Sequence, residues 1–333
     1  MKNRQWTLAS HAQGEVTESQ WTLVESEVPA PGPAQILVRN LWLSVDPYMR
    51  GKLNAGSGME PGDVMMGGGV GEVVASDHPD WQPGDLAEGL SLGWQDYAVL
   101  TPDLPGPAKV NRVDTGVDPQ AALSWSGMPG LTAYFAMLEV GRPRPGDTVV
   151  VSAAAGAVGQ LAGQIAKLAG ARVVGIAGSG PKLQWCERIG FDAMIDYKTS
   201  SDLSGDIARV CPEGVNVFFD GTGGVVHDAV MQNLALAARV AIVGRVATAG
   251  APGSADIGMR ASSKLIETRA TVQGFVVYDW WHRRDEGLRN LKKWHAEGKL
   301  AFREDVVQGI ENVPHAFLRM MRGENFGKQL VAL

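Results

Sequence analysis

The sequence predicts an α/β protein in which a partly closed β-barrel domain is joined to a domain built on a doubly wound parallel sheet. Three observations lead to this fold class. A run of β-branched residues at 149–151 passes through a small-residue turn into an amphipathic helix. Strands and helices then alternate as far as residue 277, as in a parallel sheet. Before residue 101, short strands are separated by glycine and proline turns, which is typical of a small barrel.

The turn after the first parallel strand has the features of a dinucleotide-binding loop. Gly156 lets the backbone pass close to a pyrophosphate, and Gly159 lets the helix pack tightly on the strand. Ala157 and Val158 stand between them, where the unpaired amides of the helix N-terminus face the phosphates. Ala154 replaces the first glycine of the usual G-x-G-x-x-G pattern, so this loop alone is a weak signal and a ligand-free turn is its alternative.

The end of the second predicted strand, at 172–177, indicates which dinucleotide is bound. An NAD-binding domain usually places Asp or Glu there for the ribose 2′-hydroxyl. This chain has small residues from Gly178 onward, which leave room for a 2′-phosphate, and Lys182 offers a cation. A charge-assisted hydrogen bond is worth ~1.5–3 kcal/mol, or roughly tenfold to a hundredfold in affinity. A lysine in the first turn of a helix is often only solvated, so the missing acid carries the prediction of NADP(H).

Length and charge exclude several classes of protein. With 333 residues the chain is long enough for two domains. The net charge of −6 does not suit a polyanion-binding surface, so we expect no nucleic-acid partner. We also expect no membrane partner, because no apolar run reaches the ~18 residues that span a bilayer. The first residues lack the apolar core of a secretory signal.

Cysteine and histidine usage argues against a metal site. Cys186 and Cys211 are the only cysteines, which fits a reducing cytoplasm better than a disulfide framework. Two cysteines cannot form a four-cysteine zinc site, and the six histidines are scattered without ligand spacing. We therefore expect a cytoplasmic protein without a catalytic metal.

Strand and turn signals place the remaining elements. The predicted barrel strands are 35–45, 67–75, 86–89 and 94–99. A helix at 131–140 precedes a proline-rich break, and the parallel sheet continues with strands at 192–196, 215–220, 240–244 and 271–277. A helix follows residue 285 and runs to 298, and the tail holds a strand, a helix at 314–322 and a last strand at 328–331.

The tail looks like more of the barrel, so we expect the first domain to be discontinuous. The predicted domains are a catalytic domain of residues 1–125 and 300–333 and a nucleotide-binding domain of residues 126–299. The cluster of two tryptophans, a histidine and two arginines at 280–284 is interpreted as a partly exposed, amphipathic turn.

With these motifs placed, the chain resembles the zinc-independent medium-chain dehydrogenase/reductases. It is most similar to their NADPH-dependent double-bond reductases, which act on prostaglandins, curcumin and plant alkenals. The resemblance covers nearly the full length, and the motifs that carry it are DPYMRG at 46–51, GVGEVV at 69–74, WQDY at 94–97, GMPGLTAY at 127–134, AAAGAVG at 153–159, GFD at 190–192, DYK at 196–198, QGFVV at 273–277 and NFGK at 325–328.

The resemblance implies a GroES-like catalytic domain, a Rossmann domain and roles for individual residues. It implies that Tyr48 faces the substrate. Residues 156–159 and Lys182 would bind the pyrophosphate and the 2′-phosphate, and Tyr197 would lie on the adenosine phosphate side. Gly244 falls in the loop under the nicotinamide ribose. The residues implied at the nicotinamide end and in the same cleft are Phe275, Val276, Val277, Asn325, Met128 and Thr132. The family also implies a homodimer.

Two departures from the family pattern bear on the chemistry. Gly221 stands where relatives often have an asparagine that contacts the cofactor, and Ala249 stands where they have a tyrosine near the substrate carbonyl. Loss of a general acid costs ~10²–10⁴ in rate. Either Tyr48, water or the ribose hydroxyl serves instead, or the substrate differs from the usual enones.

The expected function is conjugate reduction of a small-molecule electrophile. NADPH would deliver a hydride to the β-carbon of an α,β-unsaturated aldehyde or ketone, while donors stabilise the enolate. A quinone reductase uses the same cofactor and is one alternative, and a non-catalytic NADPH-binding protein is another. A zinc alcohol dehydrogenase lacks its ligand set here, and the Tyr-x-x-x-Lys pattern of short-chain dehydrogenases is not formed by the adjacent Tyr197 and Lys198.

Overall fold

The computed structural model describes residues 2–113, 116–249 and 257–333. These residues form two compact units. The first unit holds the described residues up to 127 and those from 304 onward, and the second holds 128–249 and 257–303. The predicted limits of the two functional domains, at 125 and 300, stay a prediction.

The first unit consists mostly of strands, whereas strands and helices alternate along the chain in the second unit. Within the described residues the strands are β1 (Lys2–Leu8), β2 (Trp21–Glu27), β3 (Ile36–Ser44), β4 (Gly69–Ser76), β5 (Leu86–Gly89), β6 (Tyr97–Leu100), β7 (Asn111–Arg112), β8 (Thr148–Val151), β9 (Arg172–Ala177), β10 (Ala193–Asp196), β11 (Val215–Asp220), β12 (Leu234–Ile242), β13 (Thr271–Gly274), β14 (Glu304–Gln308) and β15 (Lys328–Ala332). The α-helices there are α1 (Met49–Lys52), α2 (Met128–Phe135), α3 (Gly159–Leu168), α4 (Gly180–Arg188), α5 (Leu203–Val210), α6 (Gly224–Met231), α7 (Ser262–Thr268), α8 (Arg284–Ala296) and α9 (Val313–Met321).

The first unit is the barrel-like domain that the sequence predicts. β1 and β2 pair as an antiparallel hairpin. A second sheet has the strand order β14-β15-β3-β4-β5-β7, and β6 pairs with β3 as well. Register shifts interrupt the β3–β4 pairing, and such bulges bend and twist a sheet. A Cβ at Gly71 would lie 2.3 Å from Arg39 O, so only glycine permits this close strand pairing.

An aromatic cluster lies in the core of the first unit. The ring centroids of Trp21 and Trp94 lie 5.4 Å apart, and each indole contacts Phe317 at 5.6 and 6.0 Å, edge to face. The strand predicted at 94–99 begins only at Tyr97, because Trp94 turns into this core.

A buried ion pair ties the last strand to the end of β3. Lys328 Nζ donates to Asp46 Oδ1 at 2.7 Å and to Val45 O at 2.8 Å, and Ser44 donates its hydroxyl to the other carboxylate oxygen. Both charged side chains are less than a tenth exposed. Because Asp46 and Tyr48 belong to one turn, in which Met49 N donates to Asp46 O, this pair fixes the backbone next to Tyr48.

The second unit is a doubly wound parallel sheet, as predicted. Its strand order is β10-β9-β8-β11-β12-β13, and every pairing is parallel. The chain therefore starts at the centre, moves outward to β10, and returns to the other side of β8. Buried valines of β8 and β9 and the two phenylalanines of β11 supply the sheet's apolar core.

Two predicted elements of the second unit end earlier in the structure than the sequence indicates. The helix predicted at 131–140 ends as α2 at Phe135 and continues as a π-helix at Ala136–Gly141, where Arg142 N donates to Met137 O. The strand predicted to reach 277 ends at Gly274, and a 3₁₀ helix begins at Val277, so the buried Phe275 and Val277 lie outside the strand.

The predicted amphipathic turn at 280–284 lies in a 3₁₀ helix, Val277–Arg283, that runs into α8. The half-buried Trp280 stacks on Phe135 at 5.6 Å, and Arg283 forms ion pairs with Glu139 and Glu286. These contacts give the cluster a structural role. No helix of the described residues is long and apolar enough to cross a membrane.

The Lys328–Asp46 pair gives a test of this packing. We expect Lys328→Met to lower the free energy of unfolding by about 3–5 kcal/mol, because Asp46 would keep a buried charge without its cation. The double variant Lys328→Met/Asp46→Leu removes both charges and should recover much of this loss. Equilibrium urea denaturation measures both effects. The exposed pair Lys2–Glu27 is the control, and Lys2→Met should leave the urea midpoint unchanged. Equal midpoints for Lys328→Met and the wild type would contradict the assignment.

Candidate active site

The carboxyl edge of the parallel sheet collects most of the predicted site residues. The strand order reverses between β8 and β11, which pair through Val151 and Phe219 near their carboxyl ends. Ligands of doubly wound sheets bind outside such a reversal point, since the two flanking loops diverge and leave a crevice.

The loop after β8 has the shape that a pyrophosphate requires. A Cβ at Gly159 would lie 2.3 Å from Ala153 O, so any larger residue would push α3 away from the turn. Gly156 N donates to Ala153 O at 2.8 Å and closes the turn. Ala157 and Val158 follow, half-buried, at the N-terminus of α3, where helix amides lack intrahelical partners. This cradle fits the phosphates of a dinucleotide.

The end of β9 is kept small by its neighbours. A Cβ at Gly178 would lie 2.8 Å from Tyr197 Cε1 and 2.9 Å from two carbons of the Lys198 side chain. Tyr197 is 40% exposed, and its ring lies against Gly178. Lys182 is half-buried in the first turn of α4, where its amide donates to Ser179 O. The structure thus brings Gly178 and Tyr197 together and places Lys182 four residues after Gly178.

A buried carboxylate organises the loop after β11. Asp220 Oδ1 accepts hydrogen bonds from Thr222 N at 3.0 Å, Gly223 N at 2.9 Å and Ser152 Oγ at 3.2 Å. Its Oδ2 lies 2.8 Å from His227 Nδ1 on α6. Ser152 Oγ in turn accepts from Gly221 N at 2.8 Å. The loops on both sides of the reversal point are therefore joined by one network.

Electrostatics keep Asp220 ionised. Burial raises its pKa, but the hydrogen bonds from His227 and from the Gly223 and Thr222 amides outweigh burial, and the pKa lies below its ordinary value. The group therefore serves as a fixed acceptor that positions the loop.

Gly244 lies against the same loop. Its amide donates to Asp220 O at 3.1 Å, and a Cβ there would lie 2.8 Å from Gly221 O. The segment after it forms a 3₁₀ helix, Val246–Thr248, that ends at Ala249. Ala249 lacks the phenol of the tyrosine that relatives have at this position. Gly250, the next residue of the loop named in the sequence analysis, lies outside the described residues.

The end of β13 brings four further predicted residues near each other. Phe275 N donates to Ile242 O at 2.9 Å, so Phe275 lies beside the carboxyl end of β12. Phe275 and Val277 are buried, whereas Val276 between them is 53% exposed. Tyr278, the next residue, reaches Met128 Sδ with its hydroxyl at 3.7 Å.

Thr132 completes this group through the helix that follows Met128. Its hydroxyl donates to Met128 O at 2.8 Å within α2, and it is half-buried. Met128 and Thr132 therefore lie on the first turns of α2, next to the segment that follows β13.

Two predicted residues lie in the first unit. Tyr48 is 37% exposed and directly precedes α1, in the turn that the Lys328–Asp46 pair fixes. Asn325 is half-buried before β15, and its side-chain amide donates to Gly327 O at 2.8 Å. This bond stabilises the turn that leads to Lys328.

Other reactive groups do not converge on these loops. Burial raises the pKa of the Cys186 thiol to about 12 and also raises that of Cys211, so neither is a ready nucleophile. Among residues 2–113, 116–249 and 257–333, no group of three or more His, Cys, Asp or Glu side chains could hold a metal ion.

Ser152, Asp220 and His227 were not predicted from the sequence. Ser152 and Asp220 directly follow or end buried strands at the reversal point, which was the available signal. The sequence contains no signal for His227, because its contact with Asp220 depends on how α6 packs.

The network predicts a pH effect. The unfolded pKa of an aspartate is about 3.9, and the folded value for Asp220 is lower. Its stabilising contribution is therefore complete above the unfolded value and is lost as pH falls through the folded value. We expect Asp220→Asn to unfold at a lower urea concentration than the wild type at neutral pH. Its urea midpoint should also fall less than that of the wild type as the pH is lowered. Urea midpoints across the acidic range measure this, with the exposed Asp279→Asn as control. Parallel curves for wild type and Asp220→Asn would contradict it.

Comparisons with known proteins agree with this architecture. Residues 4–106 match the family model described as the N-terminal domain of oxidoreductase, and residues 157–293 match the one described as zinc-binding dehydrogenase. The NADPH-dependent curcumin reductase of Escherichia coli is 39% identical over 339 residues, covering 99% of this chain and 96% of that protein.

Two further relatives span nearly the whole chain. The NADP(+)-dependent 2-alkenal reductase of Nicotiana tabacum is 36% identical over 341 residues, covering 99% of this chain and 97% of that protein. The crystal structure of CurA from Vibrio vulnificus in complex with NADPH superposes with a TM-score of 0.91 at 39% identity, covering 99% of this chain and 98% of that one. This chain therefore belongs to the zinc-independent medium-chain dehydrogenase/reductases, in the group that contains the curcumin and 2-alkenal reductases.

Proposed function

We propose that this protein is an NADPH-dependent reductase of the C=C bond of α,β-unsaturated aldehydes and ketones. The observation that carries the proposal is the glycine cradle at the reversal point of the sheet, where Gly159 and Gly244 each occupy a position that no Cβ could share. The names of the curcumin and 2-alkenal reductases support the substrate class, and the NADPH complex of CurA supports the cofactor.

The chain offers a separate group of residues to each part of NADPH. Residues 156–159 would hold the pyrophosphate at the N-terminus of α3. Gly178, Lys182 and Tyr197 would surround the 2′-phosphate. Gly244 would lie under the nicotinamide ribose. The proposed contacts at the nicotinamide end are Phe275, Val276, Val277, Met128, Thr132 and Asn325.

The asparagine expected in relatives at position 221 is replaced by a backbone arrangement. Gly221 N is held by Ser152 Oγ, and the following amides are held by Asp220. These bonds orient the loop without a side chain at position 221.

The chemistry needs little from the protein beyond alignment and charge stabilisation. When bound, NADPH supplies the hydride that reduces the β-carbon of the substrate. Negative charge then develops on the carbonyl oxygen, where Tyr48 would donate a hydrogen bond. Because position 249 is alanine, the proton that completes the α-carbon would come from solvent.

We also propose a cytoplasmic homodimer. β13 closes one side of the parallel sheet and all four of its residues are exposed, so its backbone groups can pair with the same strand of a second copy. Cys186 and Cys211 are buried and unpaired, which suits a reducing compartment. Sedimentation of the full chain at the monomer mass would contradict the dimer.

An NADPH-oxidation assay tests the proposed activity. The panel pairs each alkenal or enone with its saturated counterpart and includes quinones. We expect oxidation with the unsaturated member of each pair only, with the saturated carbonyl compound as product. Turnover of quinones alone would favour a quinone reductase, and tight NADPH binding without any turnover would favour a binding protein. Either result would overturn the proposal.

The role of Tyr48 is tested by Tyr48→Phe. Removal of one donor to a developing oxyanion lowers kcat by about 10²–10³. We expect that loss with an enone substrate, while the affinity for NADPH is unchanged. Tyr97→Phe, at a half-buried tyrosine of β6, is the matched control and should keep the wild-type kcat. An unchanged kcat for Tyr48→Phe would remove Tyr48 from the mechanism.

Cofactor preference is tested by Lys182→Met. Loss of a charge-assisted hydrogen bond to the 2′-phosphate should weaken NADPH binding by roughly tenfold to a hundredfold. NADH binding should not change, because NADH lacks this phosphate. Fluorescence titration with both cofactors measures the ratio, with Lys293→Met, at an exposed lysine of α8, as control. Equal losses for the two cofactors would contradict this role.

A further inference from the structure

We propose that Lys198 is a second cation for the 2′-phosphate of NADPH and that it shares with Lys182 the discrimination against NADH. The inference rests on the proposed function, since it concerns the same cofactor. It arises from how β9 and β10 end, which brings Lys198 beside Gly178 although the two residues are twenty positions apart in the chain.

The pairing of β9 and β10 fixes where Lys198 emerges. The two strands are parallel, and Asp196 pairs with Ala177 at their carboxyl ends. Tyr197 N then donates to Ala177 O at 3.2 Å, so the ladder extends one residue beyond the strands. Lys198 N donates to Asp196 Oδ1 at 3.0 Å, which fixes the turn that follows. The Lys198 backbone is therefore held next to the turn that begins at Gly178.

The side chain of Lys198 lies along that turn. Its Cδ and Cε would each be 2.9 Å from a Cβ at Gly178, on the same glycine that Tyr197 Cε1 approaches to 2.8 Å. The ammonium group is one bond beyond Cε. It therefore lies near the end of β9, where the sequence pattern of NAD-binding domains puts an acid for the ribose hydroxyl. A cation at this place favours a phosphate.

The ammonium group is available for a ligand. Lys198 is exposed, and no hydrogen bond or ion pair of its ammonium occurs among the residues that the structure describes. Lys167, by contrast, is engaged by both oxygens of Asp192, at 2.8 and 2.9 Å. Asp196 is the acidic residue nearest to Lys198 in the sequence, and its carboxylate accepts a hydrogen bond from the backbone amide of Lys198.

A phosphate monoester carries ≈ −1.5 to −2 charge at neutral pH and three acceptor oxygens, so it can engage two lysines at once. Removal of the Lys198 charge should therefore weaken ligands that carry the 2′-phosphate by about tenfold to a hundredfold. Ligands that lack it should bind as before. Lys198→Met is the informative variant, because methionine keeps an unbranched stem over Gly178 and loses only the ammonium group.

The test titrates the full chain with 2′,5′-ADP, NADPH and NADH by calorimetry. We expect Lys198→Met to lose affinity for 2′,5′-ADP and NADPH only, and Lys198→Arg to retain most of it. Lys293→Met is the control and should match the wild type with all three ligands. The salt dependence of 2′,5′-ADP binding should also become shallower in Lys198→Met, because one charge contact is gone.

Two results would overturn the inference. If Lys198→Met binds 2′,5′-ADP with wild-type affinity, Lys198 does not contact the phosphate, although NADPH binding by the wild type would still support the proposed function. If NADH affinity falls as much as NADPH affinity, the side chain acts through packing on Gly178 and not through its charge. If the wild type binds neither NADPH nor 2′,5′-ADP, the proposed function itself is wrong.

Discussion

The loops at the carboxyl edge of the parallel sheet depend on the hydrogen bonds of the Asp220 carboxylate. This carboxylate lies at the end of β11, is almost fully buried, and holds the loop amides of Thr222 and Gly223 together with Ser152 at the end of β8. The two strands that flank the reversal point would otherwise end in independent loops. Because Asp220 stays ionised, it is a strong acceptor in a place with little water, and the loops keep one arrangement.

The space available for a Cβ also determines which residues are tolerated at the carboxyl edge of the sheet. Ala154, at the first glycine position of the dinucleotide pattern, has no positive φ and donates its amide to Ile176 O, so alanine is tolerated there. The strained residue is the preceding Ala153, whose φ is 48°, at a cost of roughly 1–2 kcal/mol. Gly159 is indispensable because the Ala153 carbonyl occupies the space of its Cβ. A departure from the usual pattern therefore leaves the cradle intact when it falls where the backbone is unstrained.

Local patterns made the second unit predictable from sequence. β8, α3 and β9 follow one another within thirty residues, and each has an apolar period that depends little on the rest of the chain. The missed features depend on distant contacts. Trp94 leaves its predicted strand to meet Trp21 and Phe317, and His227 finds Asp220 only once α6 has packed. The sequence indicated that Gly178 leaves room for a phosphate, and in the structure the side chains of Tyr197 and Lys198, which follow β10, lie against this glycine.

In both units a buried carboxylate fixes a turn. In the second unit Asp220 holds residues 221–223, and in the first unit Asp46 holds the turn that carries Tyr48. Each carboxylate is buried and bonded to groups from a second element, namely His227 on α6 and Lys328 on β15. Removing a charge from such a network costs much more than an exposed ion pair does. If the hydride comes from the cofactor, the protein has no need of a titrating group at the reacting carbon. Its buried charges can then serve to position backbone and a single phenol.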